Sequence, residues 1–309
     1  MGFLYWLEGL RTPLLDRFFA AVTALGEETA FMVVALIVFW CVSRTMGYYI
    51  LTVGFIGTIF NQFLKLLFRI PRPWVLDPNF TIVEQAREQA TGYSFPSGHS
   101  QNAIGTFGGI ARFAKRKWLQ FFCIAAAVLV PFSRMYLGVH TPADVLTAAV
   151  MALLLLFFLY PLFQRIETKP NLFLCVTAVM LALSAAFVLF VEVYPFPADT
   201  DAENLLHGTE NAYTMLGCVL GLMTVLLRQK NRPGFDVKAP LLGQILKVIL
   251  GLAGLLLLKE GLKAPLALVF GSHPVSRAVR YCVIVLFAAG VWPMTFPWFA
   301  KLGKKKENA

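Results

Sequence analysis

TPADVLTAAVMALLLLFFLYPLF, residues 141–163, sets a helix start directly in front of nineteen residues that contain no Lys, Arg, Asp or Glu. Thr141 and Pro142 suit the N-cap and the first helical position, which puts Asp144 at the third. A bilayer core about 30 Å thick takes roughly 20 apolar residues of helix. The stretch therefore reads as a membrane span that begins at a polar edge. Working outward, eight further apolar segments read the same way, at 29–43, 47–69, 97–113, 118–137, 171–193, 211–228, 240–258 and 278–298. With 58% hydrophobic and 14% charged residues, this is not the composition of a soluble globular domain. The expected fold is all-α, a multi-pass transmembrane helical bundle.

Residues 1–26 carry Glu8, Arg11, Asp16 and Arg17 among apolar residues at helical spacing, so they are expected to form an interfacial amphipathic helix. No removable signal peptide is expected there. Residues 27–193 form the motif-bearing membrane domain, 194–210 an acidic, Pro-containing extracytoplasmic loop, 211–300 three further spans, and 301–309 a basic tail. Lys and Arg collect in alternate loops, fifteen basic residues against the acids Glu167, Asp236 and Glu307. Loops rich in them stay cytoplasmic. This places the C-terminus inside and the loops at 70–96, 133–141 and 194–210 outside, in a plasma membrane. The net charge of +10 is thus a topology signal and implies no nucleic acid. The five cysteines show neither CxxC spacing nor a nearby histidine pair, so neither a disulfide framework nor a zinc site is expected.

Three clusters of ionisable residues stand at span edges, on that same outer face. In KLLFRIPRP, Lys65, Arg69 and Arg72 share a helical face before Pro71 and Pro73 end it. In FPSGHS, Pro96 opens a helix whose first free N–H groups belong to Ser97, Gly98 and His99, a ready anion site. In SRMYLGVHTPAD, Asp144 can reach back to His140, fix its tautomer and leave its other nitrogen free to attack. Phosphoryl transfer needs fixed cations, an in-line nucleophile and an acid for the leaving oxygen. Lys65, Arg72 and Arg134 supply the cations, His140 the nucleophile and His99 the acid. His207 and His273 have no comparable sequence setting.

Lys65 with six residues to Arg72-Pro73, then Pro96-Ser97-Gly98-His99, then Ser133-Arg134 with five residues to His140 and three more to Asp144, resembles the full signature of the type 2 phosphatidic acid phosphatase (PAP2) superfamily, in its membrane-bound lipid phosphatase branch. The resemblance covers about residues 12–163. It implies that His140 forms a phosphohistidine supported by Asp144, that His99 protonates the leaving alcohol, and that Lys65, Arg72, Ser97, Gly98 and Arg134 hold the phosphate. No metal or other cofactor is implied. The family's soluble haloperoxidase relatives bind vanadate with the same residues, and the apolar composition argues against that branch.

The expected partners are a lipid phosphate substrate and membrane lipids: a polyprenyl diphosphate such as undecaprenyl diphosphate, phosphatidate, phosphatidylglycerol phosphate or a sphingoid phosphate. A lipid phosphotransferase and a non-catalytic lipid-binding protein are the alternatives. The family core commonly has six helices with the first motif ending the third, whereas here it ends the second strong span, and the helix near 12–25 stands in for the missing one. The three spans over 211–298 lie outside that core and fit a lipid-entry groove, an accessory domain or a homo-oligomer contact. Lys247, inside one of them, reads as a snorkelling lysine or as the lining of such a groove.

Overall fold

The computed structural model describes residues 1–88, 90–229 and 234–302, and among these it is helical with no strand. In chain order the helices are α1 (Gly2–Glu8), α2 (Pro13–Ala24), α3 (Glu28–Ile37, extended by a wider turn to Val42), α4 (Arg44–Phe68), α5 (Pro73–Leu76), α6 (Gly98–Ala103), α7 (Gly109–Phe113), α8 (Lys117–Tyr136), α9 (Pro142–Phe163), α10 (Pro170–Val193), α11 (Ala202–Gln229), α12 (Leu241–Gly261), α13 (Lys263–Phe270), α14 (Val275–Val285) and α15 (Phe296–Phe299).

Among the described residues, seven helical stretches are long and apolar enough to cross a membrane. An eighth results if α2 and α3, bent by 51°, count as one span. The nine-span reading is corrected on this point. The segment at 97–113 folds as α6 and α7 joined by a wider turn over Ile104–Gly108. At about 1.5 Å per residue, Gly98–Phe113 extends roughly 24 Å, short of a bilayer core. The segment at 29–43 qualifies only together with α2. The spacing of apolar residues located both helices, but helix length decides crossing.

The chain divides into two compact units, Met1–Ala35 with Tyr49–Pro161 and Val193–Gly208, and Leu36–Tyr48 with Leu162–Glu192 and Thr209–Ala309. All three motifs belong to the first. There the expected single interfacial helix is two helices, and both pack inward. Leu4 of α1 is buried with Phe80 and Ile82, and Phe19 of α2 with Tyr136, Leu137 and Val139. Thr12 caps α2, its hydroxyl accepting from the Leu15 N–H at 3.3 Å. These contacts pin the end of α8 and the loop that follows it, where the third motif lies. The acidic loop expected over 194–210 is shorter than that, because α11 already begins at Ala202.

In the second unit, Trp40 is fully buried and donates its Nε1–H to the Ala288 carbonyl at 2.9 Å. Lys247 is also fully buried. Its Nζ reaches back past the start of α12, donates to the Val237 carbonyl at 2.9 Å and lies 4.4 Å from the centroid of the Phe296 ring.

Candidate active site

Pro71 disfavours helical geometry at Ile70, so α4 stops at Phe68. Arg69 takes a left-handed φ of 49° there, and its guanidinium donates to the Leu66 and Leu67 carbonyls at 3.0 and 3.3 Å. Arg69 therefore caps a helix instead of joining the site, and the shared face expected for Lys65, Arg69 and Arg72 is broken. Beyond the turn, Arg72 is held by backbone: Nε donates to the Gly92 carbonyl at 3.0 Å, Nη2 to Thr91 at 2.6 Å and Nη1 to Val139 at 3.0 Å. The neighbouring Tyr93 carbonyl accepts from Lys65 Nζ. One short loop thus fixes both cations.

The second motif departs from the expected helix start: Pro96 lies before the helix, α6 begins at Gly98, and the Ser97 N–H is not free. Ser97 is the N-cap of α6, its Oγ accepting from the Ser100 N–H at 3.4 Å, and its own N–H donates to the Asp144 carbonyl at 3.1 Å, which joins the second and third motifs. In the third motif α8 ends at Tyr136, and Gly138 turns the chain with φ +83°. A Cβ at Gly138 would stand 2.7 Å from Arg11 Nη2, so conformation and space both require glycine there. Arg11 itself donates from Nε to the Tyr136 carbonyl at 3.1 Å.

His140 follows, 2% exposed. Arg72 Nη1 stands 2.9 Å from His140 Nε2. A guanidinium can only donate, so Nε2 accepts. The ring proton then sits on Nδ1, which donates to Asp144 Oδ2 at 3.3 Å. That oxygen also accepts from the Thr141 N–H at 2.7 Å and from Ser94 Oγ at 2.6 Å, while Thr141 Oγ1 accepts from the Asp144 N–H at 3.3 Å. The capping box of α9 is at the same time the clamp on the imidazole. Burial, first, and then the nearby Arg72, Arg134 and Lys65 push the His140 pKa well below the ordinary histidine value. The ring is neutral at neutral pH.

A cavity of about 180 Å³ is lined by Lys65, Arg72, Gly98, His99 and His140, together with residues from α4 and α6. Ser97, Arg134 and Asp144 are buried and are not among its lining residues. Arg134 donates Nη1 to Thr23 Oγ1 at 2.9 Å, but its Nε and Nη2 are buried without a partner, as is His99 Nε2. The unpaired guanidinium N–H groups call for an acceptor, and His99 Nε2 donates or accepts according to its tautomer. Lys65 and Arg72, each 6% exposed, and Arg134, fully buried, have one buried carboxylate among them, Asp144.

Sequence reasoning missed three contributors. Ser94, one residue before the second motif, orients Asp144. Thr23, in the segment read as interfacial, holds Arg134. His207, set aside earlier, lines the cavity from the first turns of α11.

A membrane helical bundle whose buried cations outnumber its buried carboxylates around two imidazoles is a protein built to take an anion. Comparison with known proteins places it further. Residues 44–168 match the PAP2 superfamily, and residues 213–305 match the transmembrane extension of PAP2 superfamily phosphatases. The two matches together cover more than half of the chain, and the chain belongs to the PAP2 superfamily. It is 29% identical over 160 residues to a probable sphingosine-1-phosphate phosphatase of Dictyostelium discoideum, covering 48% of this chain and 38% of that one. It is 29% identical over 107 residues to the undecaprenyl-diphosphatase BcrC of Bacillus subtilis, covering 35% of this chain and 52% of that one. The phosphatidylglycerophosphatase B of Bacillus subtilis is 29% identical over 171 residues, covering 51% of this chain and 80% of that one. The chain thus spans about half or less of the length of the first two of these relatives. No solved structure matches it.

Proposed function

We propose that this chain is an integral-membrane lipid phosphatase that hydrolyses a lipid phosphate monoester or diphosphate through a phosphohistidine. The observation that carries the reading is the trio of buried cations, Lys65, Arg72 and Arg134, around an imidazole whose Nδ1–H is held by Asp144. The excess positive charge suits a dianionic phosphate, and the tautomer suits a nucleophile.

In the first step the His140 Nε2 lone pair attacks phosphorus in line. The bond from phosphorus to the ester oxygen breaks, and that oxygen leaves as an alcohol with a proton from His99. Lys65, Arg72, Arg134 and the Gly98 N–H neutralise the non-bridging oxygens, while the Ser97 N–H, bonded to the Asp144 carbonyl at 3.1 Å, ties the second motif to the third. Arg72, whose Nη1 stands 2.9 Å from Nε2, moves onto a phosphate oxygen as substrate enters. In the second step water attacks the phosphohistidine, His99 takes its proton, the bond from phosphorus to Nε2 breaks and orthophosphate leaves. Asp144 holds the imidazole through both steps, positioned by Thr141 and Ser94.

An extracytoplasmic active site in a plasma membrane is part of the proposal: Arg112, Lys115, Arg116 and Lys117 cluster at the opposite end of the helical stretch 98–113 from the second motif, which suits a cytoplasmic side there. The lipid substrates named for the relatives are phosphorylated, and they define the panel to test: a sphingoid phosphate, a prenyl diphosphate and phosphatidylglycerol phosphate. Orthophosphate release from purified protein in detergent tests the reading, and its absence across that panel overturns it. Transfer to an added alcohol in place of water would reassign the chain as a phosphotransferase. Because the cations are side chains of the protein, release is expected to continue in excess EDTA at a rate within about twofold of the control; its abolition by EDTA and rescue by Mg²⁺ would refute protein-only charge neutralisation.

A further inference from the structure

Beyond Lys65, the cavity wall turns from cations to carboxamides. Thr58, Asn61, Gln62 and Lys65 recur on one face of α4 at helical spacing, and Gln101 and Asn102 face them from α6. Asn61 is 2% exposed and Gln101 1% exposed, and neither side-chain oxygen nor side-chain nitrogen of either has a partner. A Cβ at Gly57 would stand 2.2 Å from Gln101 Nε2, and one at Gly98 3.8 Å from Asn61 Oδ1. Asn61 therefore adjoins the phosphate-binding motif, and Gln101 lies level with α4 residues two turns before Lys65. Buried carboxamides without a partner call for a ligand that completes them. The cavity's volume is more than ten times the roughly 10–15 Å³ that one water requires.

What would complete them follows from their chemistry. The carboxamide nitrogens donate, but Asn61 Oδ1 and Gln101 Oε1 are acceptors and need a donor. A second phosphate has only acceptor oxygens, and this stretch of wall offers it no lysine or arginine. A hydroxyl both donates and accepts. We propose that Asn61 and Gln101 form a second polar subsite that reads hydroxyl groups on the lipid alcohol next to the scissile phosphate. The substrate class is then a hydroxylated lipid phosphate monoester, not the diphosphate of a plain polyprenol.

This rests on the phosphatase reading, and the experiment separates the two. Purified full-length protein in detergent would be assayed for orthophosphate release from 1-oleoyl-glycerol 3-phosphate, from oleyl phosphate, which lacks the hydroxyl, and from geranylgeranyl diphosphate. Wild type is expected to show kcat/KM for the hydroxylated ester about tenfold or more above either other substrate. Asn61→Leu and Gln101→Met, which keep approximate size and remove the polar ends, are expected to bring that ratio toward one. A wild-type ratio of one overturns the subsite without any variant, and so does an equal loss on all three substrates in both variants. Release from none of the three overturns the phosphatase reading, and the subsite falls with it.

Discussion

Replacing His140 with alanine is expected to lower orthophosphate release by about 10⁴-fold or more, the scale of removing a nucleophile from an otherwise intact site. The residual cation cluster would still bind phosphate, so the loss should fall on kcat while KM changes little. Two features of the structure favour that split. Lys65 and Arg72 are held by backbone carbonyls of residues 91–93, and Arg134 by Thr23, so none of the three depends on the imidazole for its position. Removing His140 also frees Arg72 Nη1, which retains its bond to the Val139 carbonyl. Rapid quench of the wild type with a phosphorus-labelled substrate should trap a base-stable, acid-labile protein phosphate that the alanine variant lacks. Equal activity in variant and wild type would remove His140 from the chemistry. Lost activity with the label retained would move the nucleophile to another residue.

The sequence made the cationic motifs legible because each is local. Lys65 and Arg72 flank one helix end, Ser97 to His99 open another, and His140 and Asp144 lie within one turn. Helix-capping rules suffice to orient such pairs, and the Thr141–Asp144 box has the expected form. What stayed hidden was assembled by tertiary structure. Thr23 meets Arg134 across 111 positions and Ser94 meets Asp144 across 50, distances over which periodicity carries no information. His207 was passed over because an acid-rich stretch was read as loop, whereas α11 already begins at Ala202, with Glu203 in its first turn, where an acid favours helix. Arg69 erred in the opposite direction: helical spacing put it beside Lys65 and Arg72, and the geometry forced by Pro71 turned it away. The span count failed for a different reason. Apolarity marks a helix for burial in lipid or in protein alike, and only length separates the two cases.

His99 allows a sharper test than loss of activity, because a general acid matters only as much as the leaving group needs a proton. His99→Gln keeps approximate volume in a position packed against Gly26, where His99 Cβ would stand 3.1 Å from an added methyl. On an alkyl phosphate, whose alcohol leaves poorly as an alkoxide, the variant is expected to lose about 10²–10⁴-fold in kcat/KM. On p-nitrophenyl phosphate, whose leaving group departs readily as a phenolate, the loss should be at most about tenfold. The remaining defect would then sit in hydrolysis of the phosphohistidine, where His99 acts as base toward water. Labelled phosphoprotein should therefore accumulate in the variant during turnover of the nitrophenyl ester. Equal losses on the two esters would make His99 a phosphate ligand and not the acid. The orphaned Nε2 of His99 lies buried in the same cavity as His140. If the two imidazoles divide the work as proposed, the ratio of the two losses measures how much of the barrier is proton transfer.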